Sequence, residues 1–66
     1  MKNRIKIERA THDLTQQQLA DRIGTSRQTI NAMELGKYVP STALALKLSR
    51  VFGKTVNEIF FLEEEE

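Results

Sequence analysis

Apolar residues recur every three or four positions in several short stretches of the chain, and no polar–apolar alternation of any length competes with them. This spacing is typical of amphipathic helices rather than of half-buried strands. The pattern therefore predicts five short helices. The first is expected to cover about residues 3–11, where Ile5 and Arg9 lie one turn apart.

Capping residues and a glycine bound the next two helices. Thr15, with Gln18 three residues later, has the form of a capping box and predicts the start of the second helix. Gly24 predicts its end, because the residue that ends a helix often adopts a left-handed or closely packed backbone conformation, which glycine allows. Ser26 is the expected N-cap of a third helix over residues 27–35. The side chains expected to face inward from these two helices are Leu19, Ala20, Ile23, Ile30 and Met33.

The last two helices follow a loop over residues 37–40. Ser41, directly after the proline, predicts the N-cap of the fourth helix, and Gly53 predicts its end. Thr55 and Glu58 have capping-box spacing and predict a short fifth helix. The apolar side chains of these helices are Leu44, Leu48, Val51, Phe52, Val56, Ile59 and Phe60. Together the five elements predict a compact all-α domain.

Charge is unevenly distributed along the chain. The net charge is +1, but residues 1–62 contain all ten Lys and Arg residues and only five of the nine Asp and Glu residues, a net +5. Residues 1–62 are therefore expected to form one basic domain, followed by an acidic, solvated tail at residues 63–66. A basic domain with a separate acidic end suits a polyanionic partner.

The remaining composition argues against several function classes. The chain has no cysteine, and its single histidine, His12, is expected at an exposed helix end without a second soft ligand, so no metal site is predicted. Asp13, Asp21 and Glu34 fall on separate segments with no nucleophile or base beside them, which argues against an enzyme. No cofactor is expected. No apolar stretch is long enough to span a bilayer, so a cytoplasmic protein is expected.

Residues 16–35 read QQQLADRIGTSRQTINAMEL and carry the strongest functional signal. Ala20 is small enough to let two helices cross closely, and Gly24 provides a turn residue without a Cβ. The outward face of the third helix is left with Arg27, Gln28, Thr29, Asn31 and Ala32. This face has no acid, whereas a merely solvated face, the alternative, usually mixes Glu with Lys. Because Arg can pair with guanine, and Gln or Asn with adenine, the face is predicted to read DNA bases.

The segments LTQQQLADRIGTSRQTINAMELGKYVPS and ALALKLSRVFGKTVNEIF resemble the Cro/lambda-repressor-type (Xre) helix-turn-helix family, over about residues 5–60. Ala20, Gly24 and Ile30 fall where that family places its small contact residue, turn glycine and second-helix anchor. The resemblance implies a lambda-repressor-like domain that acts as a small dimeric transcriptional regulator, with repression favoured over activation. Such a regulator is expected to bind a near-palindromic operator in double-stranded DNA and to be associated with the nucleoid. The alternative is a protein-interaction module of the same fold, such as an antitoxin subunit or co-regulator. Such a module would tolerate acids or large apolar residues on the recognition face, which has neither.

The resemblance also implies roles for single residues. The expected base contacts are Arg27, Gln28 and Thr29 at the start of the recognition helix, and Asn31 and Ala32 one turn later. The expected phosphate contacts are Gln16 and Gln17, which begin the first motif helix, and Lys37 and Tyr38, in the loop after Gly36. Arg9 is expected to form a structural ion pair with Glu34, although both have the alternative of being ordinary surface charges.

Residues 59–62, with the sequence IFFL, are more apolar than one helical turn can bury. Exposed apolar clusters indicate a partner surface, so Ile59, Phe61 and Leu62 are predicted to form a homodimer interface. Two alternatives remain open. In one, the chain folds back and places Phe61 and Leu62 under the first helix. In the other, an extended segment pairs with residues near Met1 and adds a short terminal β element to the helices.

Overall fold

The computed structural model describes residues 1–64, and in this part of the chain five helices are accompanied by two short strands. The elements, in chain order, are β1 (Lys2–Asn3), α1 (Ile5–Thr11), α2 (Gln16–Ile23), α3 (Arg27–Glu34), α4 (Thr42–Phe52), α5 (Val56–Ile59) and β2 (Phe60–Phe61). The predicted five-helix fold is confirmed. The terminal β element, which the sequence left as an alternative, is present.

The predicted N-caps hold the starts of four helices. Thr15 and Thr55 each form a complete capping box, in which the threonine hydroxyl accepts from the third helical N–H and the third side chain accepts from the threonine N–H. Ser26 Oγ accepts from the N–H of Thr29 at 3.1 Å, and Ser41 Oγ from that of Leu44 at 3.2 Å. These bonds satisfy backbone donors that have no partner within the helix, so each start is set by local chemistry.

Two helix bounds differ from the prediction. α1 begins at Ile5 rather than near Asn3, because Asn3 is paired in the β element. The Asn3 side chain still supports the helix start, since its Oδ1 accepts from the N–H of Ile5 at 3.1 Å. α3 ends at Glu34, and Leu35 is its C-cap.

Every helix contributes to one core. The buried apolar side chains are Ile5, Leu14, Leu19, Ala20, Ile23, Ile30, Met33, Leu48, Phe52 and Ile59, with Leu44, Val51 and Phe60 packed against them. Within this arrangement α2 packs on α3, α4 packs on α2, and α5 packs on α4. His12 is exposed at the C-cap of α1, as predicted. None of the helices in residues 1–64 has the length and apolar character that a membrane span requires.

The end of the chain corrects the predicted dimer surface. Ile59 is fully buried in the core, because the single turn of α5 points it inward, so its assignment to a dimer interface is wrong. β2 pairs antiparallel with β1, with Phe61 opposite Lys2 and Phe60 opposite Asn3. The chain therefore folds back on its own N-terminus, but it does not bury the last two apolar residues of the segment. Phe61 is 41% exposed and Leu62 is 73% exposed.

The acidic tail predicted at residues 63–66 lies partly outside the described residues. Of its described part, Glu63 and Glu64 are exposed. Glu63 Oε1 stands 3.8 Å from the N-terminal amine of Met1, so the tail begins beside the start of the chain.

α1 also buries a charged side chain that the sequence pattern did not single out. Glu8 lies one turn from Ile5 on the inward face of the helix, and its side chain is 3% exposed. Its Oε2 accepts from Lys54 Nζ at 2.8 Å, while its Oε1 is buried and has no hydrogen-bond partner within residues 1–64. The ion pair joins α1 to the segment between α4 and α5.

Candidate nucleic-acid interface

The second and third helices are joined by a tight turn of the predicted kind. Gly24 adopts a left-handed conformation, with φ of 73°, and Thr25 donates its N–H to the carbonyl of Ala20 at 3.0 Å. Ala20 is fully buried, as expected for a small residue at a close helix crossing. Ile30 and Met33 are also fully buried, so they anchor α3 and leave its opposite side facing outward.

The outward side of α3 is polar and open. Arg27, Gln28 and Asn31 are exposed, and Thr29 and Ala32 are half-buried. The Thr29 hydroxyl lies 2.9 Å from Ser26 Oγ, so part of its hydrogen-bonding capacity is used in the N-cap of the helix. All five predicted base-reading residues are therefore on one helix, but they differ in how freely they can meet a ligand.

The predicted ion pair between Arg9 and Glu34 is confirmed. Arg9 Nε donates to Glu34 Oε2 at 2.9 Å and Arg9 Nη2 donates to Glu34 Oε1 at 3.3 Å, which is a bidentate geometry. The third guanidinium nitrogen, Nη1, donates to the carbonyl of Leu14 at 3.0 Å. Because the Glu34 side chain is only 7% exposed, the pair is an internal brace between α1 and α3 rather than a surface contact.

Gln16 extends this brace to the outward face of α3. Its Nε2 donates to Glu34 Oε1 at 3.1 Å and to Asn31 Oδ1 at 3.2 Å. The first residue of α2 is thereby tied to both the middle and the end of α3. The family resemblance implied a phosphate contact for Gln16 and did not indicate this second role, since only the fold brings residues 16 and 31 together.

A shallow polar hollow of about 270 Å³ lies between α2 and α3. Its lining residues are Gln16, Arg27, Gln28 and Asn31. A neighbouring hollow at the start of α2 is lined by Arg9, Thr15, Gln16, Gln17 and Arg27. The structure therefore brings together one predicted phosphate contact and three predicted base contacts. Gln17 stands beside them, with its Nε2 donating to Asp21 Oδ1 at 2.9 Å.

Lys37 and Tyr38 lie just beyond the C-terminal end of α3. Both are exposed, in the loop after Gly36, and the N–H of Lys37 donates to the carbonyl of Ala32 at 2.9 Å. An eight-residue helix is about 12 Å long at 1.5 Å per residue. The loop residues are therefore separated from Arg27 by about the length of α3, and they do not line the polar hollow between α2 and α3.

Asn3 is a further residue whose position the sequence pattern did not indicate. Its Nδ2 donates to the carbonyl of Met33 at 2.7 Å, so β1 braces the C-terminal turn of α3. An asparagine just before a helix is a recognisable cap, and its Oδ1 does serve α1. Its contact with α3, thirty residues away, has no local signal.

The comparisons with known proteins agree with this geometry. A helix-turn-helix family model matches residues 5–59. The chain is 52% identical over 66 residues to an uncharacterized HTH-type transcriptional regulator of Methanocaldococcus jannaschii, and the match covers the whole of both chains. It is 48% identical over 66 residues to one from Archaeoglobus fulgidus, covering all of this chain and 93% of that protein. It is 45% identical over 65 residues to one from Bacillus subtilis, with 98% of each chain covered.

Proposed function

Because the chain belongs to the Xre-type helix-turn-helix family, we propose that it binds double-stranded DNA sequence-specifically as a small dimeric transcriptional regulator, a repressor in the simplest case. In this proposal α3 enters the major groove, and α2 lies across the DNA backbone. The relatives are named as transcriptional regulators. The match to this chain covers at least 93% of each of the three relatives described above.

The observation that carries the proposal is the acid-free outward face of α3. Arg27 and Gln28 are exposed at the N-terminal end of the helix, the end with which recognition helices usually meet base edges. An arginine can give two hydrogen bonds to guanine, and a glutamine can give and accept one at adenine. Ala32, half-buried in the next turn, can supply apolar contact to a thymine methyl group.

Phosphate contacts would hold this face in register. The first N–H groups of α2, at Gln16 and Gln17, have no partner within the helix, and the helix dipole favours an anion there. Both hydrogens of the Gln16 amide are already donated within the protein, so we assign its phosphate contact to the backbone. Lys37 and Tyr38, exposed beyond the C-terminal end of α3, are proposed to reach phosphates farther along the groove.

Binding to every single-base variant of a selected operator tests the base assignments. The operator would first be enriched from random duplexes with the purified protein. Arg27→Ala and Gln28→Ala should each remove about 1–3 kcal/mol of discrimination at one or two symmetric base pairs. Arg50→Ala, which removes an exposed charge from α4, is the matched control and should leave all base preferences intact. Unchanged preferences in both recognition-helix variants would refute their assignment.

Salt dependence tests the phosphate assignments separately. Each phosphate that a cation neutralises contributes about −0.9 to the slope of log K against log salt. Lys37→Ala should therefore weaken binding to all sequences alike and make the slope shallower by about one. A loss that varied strongly with operator sequence would assign Lys37 to a base instead.

We propose that the dimer forms through the apolar surface at the end of the chain. Phe61 and Leu62 remain exposed there, and the adjoining Phe60 is half-buried. Phe60 also lines an apolar hollow of about 240 Å³ with Met1, Val39, Pro40, Thr42, Ala45, Leu46 and Val56. An apolar surface of this kind is unusual on a protein that acts alone.

Sedimentation at tens of micromolar protein tests the dimer. The wild type should sediment as a dimer and Phe61→Glu as a folded monomer. Ile7→Glu, which alters another exposed apolar residue on α1, is the control and should remain dimeric. In a two-fold dimer the recognition helices should meet half-sites about 34–36 Å apart on a near-palindromic operator. A wild-type monomer, indifferent to Phe61→Glu, would contradict the proposal.

A further inference from the structure

The hydrogen bonds that join Arg9, Glu34, Gln16 and Asn31 each have a fixed direction: Arg9 and Gln16 donate to Glu34, and Gln16 donates to Asn31. A guanidinium can only donate, and a carboxylate can only accept. Arg9 engages both oxygens of Glu34. Because Gln16 meets the same carboxylate, it must turn its amide nitrogen, and not its amide oxygen, toward Glu34.

This orientation passes from Gln16 to Asn31. The nitrogen that Gln16 gives to Glu34 also donates to Asn31 Oδ1, at 3.2 Å. An amide nitrogen has two hydrogens and no acceptor capacity, so Asn31 must offer its carbonyl oxygen here. If the Asn31 amide turned over, two NH₂ groups would face each other. The Asn31 oxygen is therefore held toward α2, and its Nδ2 is directed away from α2.

We infer that Asn31 reads DNA as an oriented hydrogen-bond donor, and that Gln16 and Glu34 are the positioning residues that set this polarity. The inference rests on the proposed function, in which α3 lies in the major groove. On the side away from Gln16, Asn31 then favours a base acceptor, such as guanine N7 or O6, thymine O4 or adenine N7. It disfavours the amino groups of cytosine and adenine, because two hydrogen-bond donors would then face each other.

The hydrogen bonds from Arg9 and Gln16 also fix the orientation of the Asn31 amide before DNA binds. Asn31 itself is exposed, and a free asparagine at such a position samples both amide orientations. Here the orientation is fixed by Glu34, whose side chain is nearly buried and doubly held by Arg9. Discrimination at one base pair is thus controlled by residues that lie behind the recognition face.

Two substitutions test this inference without touching Arg27 or Gln28. Asn31→Asp retains an oxygen for Gln16 but replaces the outward donor with an acceptor, so the preferred base at one symmetric pair of positions should change to one with an amino group. Gln16→Ala keeps the proposed backbone contact and frees the Asn31 amide to turn over. Preference at the same base pair should then fall by about five- to a hundredfold, while the other positions keep theirs.

Asn57→Asp, which makes the same charge change at an exposed residue of α5, is the matched control for lost phosphate attraction. All variants are compared by thermal unfolding and by binding to every single-base operator variant. If wild-type protein shows no sequence preference, the proposed function fails. If it is selective but Gln16→Ala and Asn31→Asp leave every preference unchanged, or lower affinity uniformly, the inference about Asn31 alone is overturned.

Discussion

Replacing Lys54 with methionine removes the partner of a carboxylate that the protein holds in its interior. The Glu8 side chain is 3% exposed, and its Oε2 accepts from Lys54 Nζ at 2.8 Å. Its Oε1 is already buried without a hydrogen-bond partner in residues 1–64. Methionine keeps most of the aliphatic stem of lysine but supplies no ammonium group. The Lys54→Met protein must therefore leave the whole carboxylate uncompensated, protonate it, or move it into water.

The expected cost lies between two reference cases. Breaking a fully buried ion pair from one side costs about 3–5 kcal/mol, whereas an exposed pair contributes about 0–1 kcal/mol. The Lys54 side chain is 41% exposed, so its ammonium retains some water and the pair is worth less than a fully buried one. We therefore expect Lys54→Met to lower the free energy of unfolding by about 2–3 kcal/mol. For a domain of this size each kcal/mol lowers Tm by about 4–8 °C.

Urea unfolding followed by circular dichroism at neutral pH measures the loss. The double variant Glu8→Leu with Lys54→Met should recover most of it, because replacing both members of a buried pair with apolar residues is often neutral. Lys6→Met, which removes an exposed lysine from α1, is the control for charge and should change stability by less than about 0.5 kcal/mol. The reasoning is refuted if Lys54→Met costs no more than the control, or if the double variant is no more stable than Lys54→Met alone.

Three further predictions test local features of the fold by the same unfolding measurement. Hydrogen bonds from the Thr55 backbone and hydroxyl hold the pKa of Glu58 below its ordinary value of 4.5, so this capping contribution is complete above pH 4.5 and is lost as the pH falls through the lowered folded-state pKa. Wild type should thus lose stability on acidification relative to Glu58→Gln, which keeps an acceptor oxygen; parallel pH profiles would contradict this. Gly24→Ala should cost about 1–2 kcal/mol because φ there is +73°, and Gly24→Asn should cost less, since asparagine tolerates this conformation; equal losses would exclude backbone strain as the cause. Ile59→Ala should cost about 2–5 kcal/mol, as expected for a fully buried side chain. Leu62→Ala, measured at protein concentrations below those at which the proposed dimer would form, should cost little because Leu62 is 73% exposed. The reverse order would place Ile59 at the surface after all.

Helix starts and ends could be predicted from the sequence because the interactions that set them are local. A threonine or serine cap bonds a backbone N–H three residues away, and a glycine adopts its left-handed conformation without help from distant residues. The apolar spacing also predicted the buried faces of α2 and α3 correctly, since helix geometry alone places residues 19, 20 and 23 on one side. The polar outward face of α3 follows from the same periodicity, so the candidate base contacts on it could be named from the sequence alone.

The resemblance to a known family supplied the pairing of Arg9 with Glu34, which local patterns do not contain. These residues are twenty-five positions apart, and both read as surface charges until the crossing of α1 and α3 is known. The structure confirms the pair and shows why it is useful: it is the fixed end of the hydrogen-bond chain that reaches Asn31.

Contacts between distant segments were decided only by the tertiary structure. Glu8 and Lys54 are separated by forty-six positions, and helical spacing does not distinguish a buried, paired glutamate from a solvated one. Among the four apolar residues that end the domain, the pattern did not show which would enter the core. The turn of α5 and the pairing of β1 with β2 bury Ile59 and leave Phe61 and Leu62 outside. Local hydrogen bonding and periodicity act within a few residues of the chain. The burial of a side chain depends on which distant segments pack against it, and only the tertiary structure determines those segments.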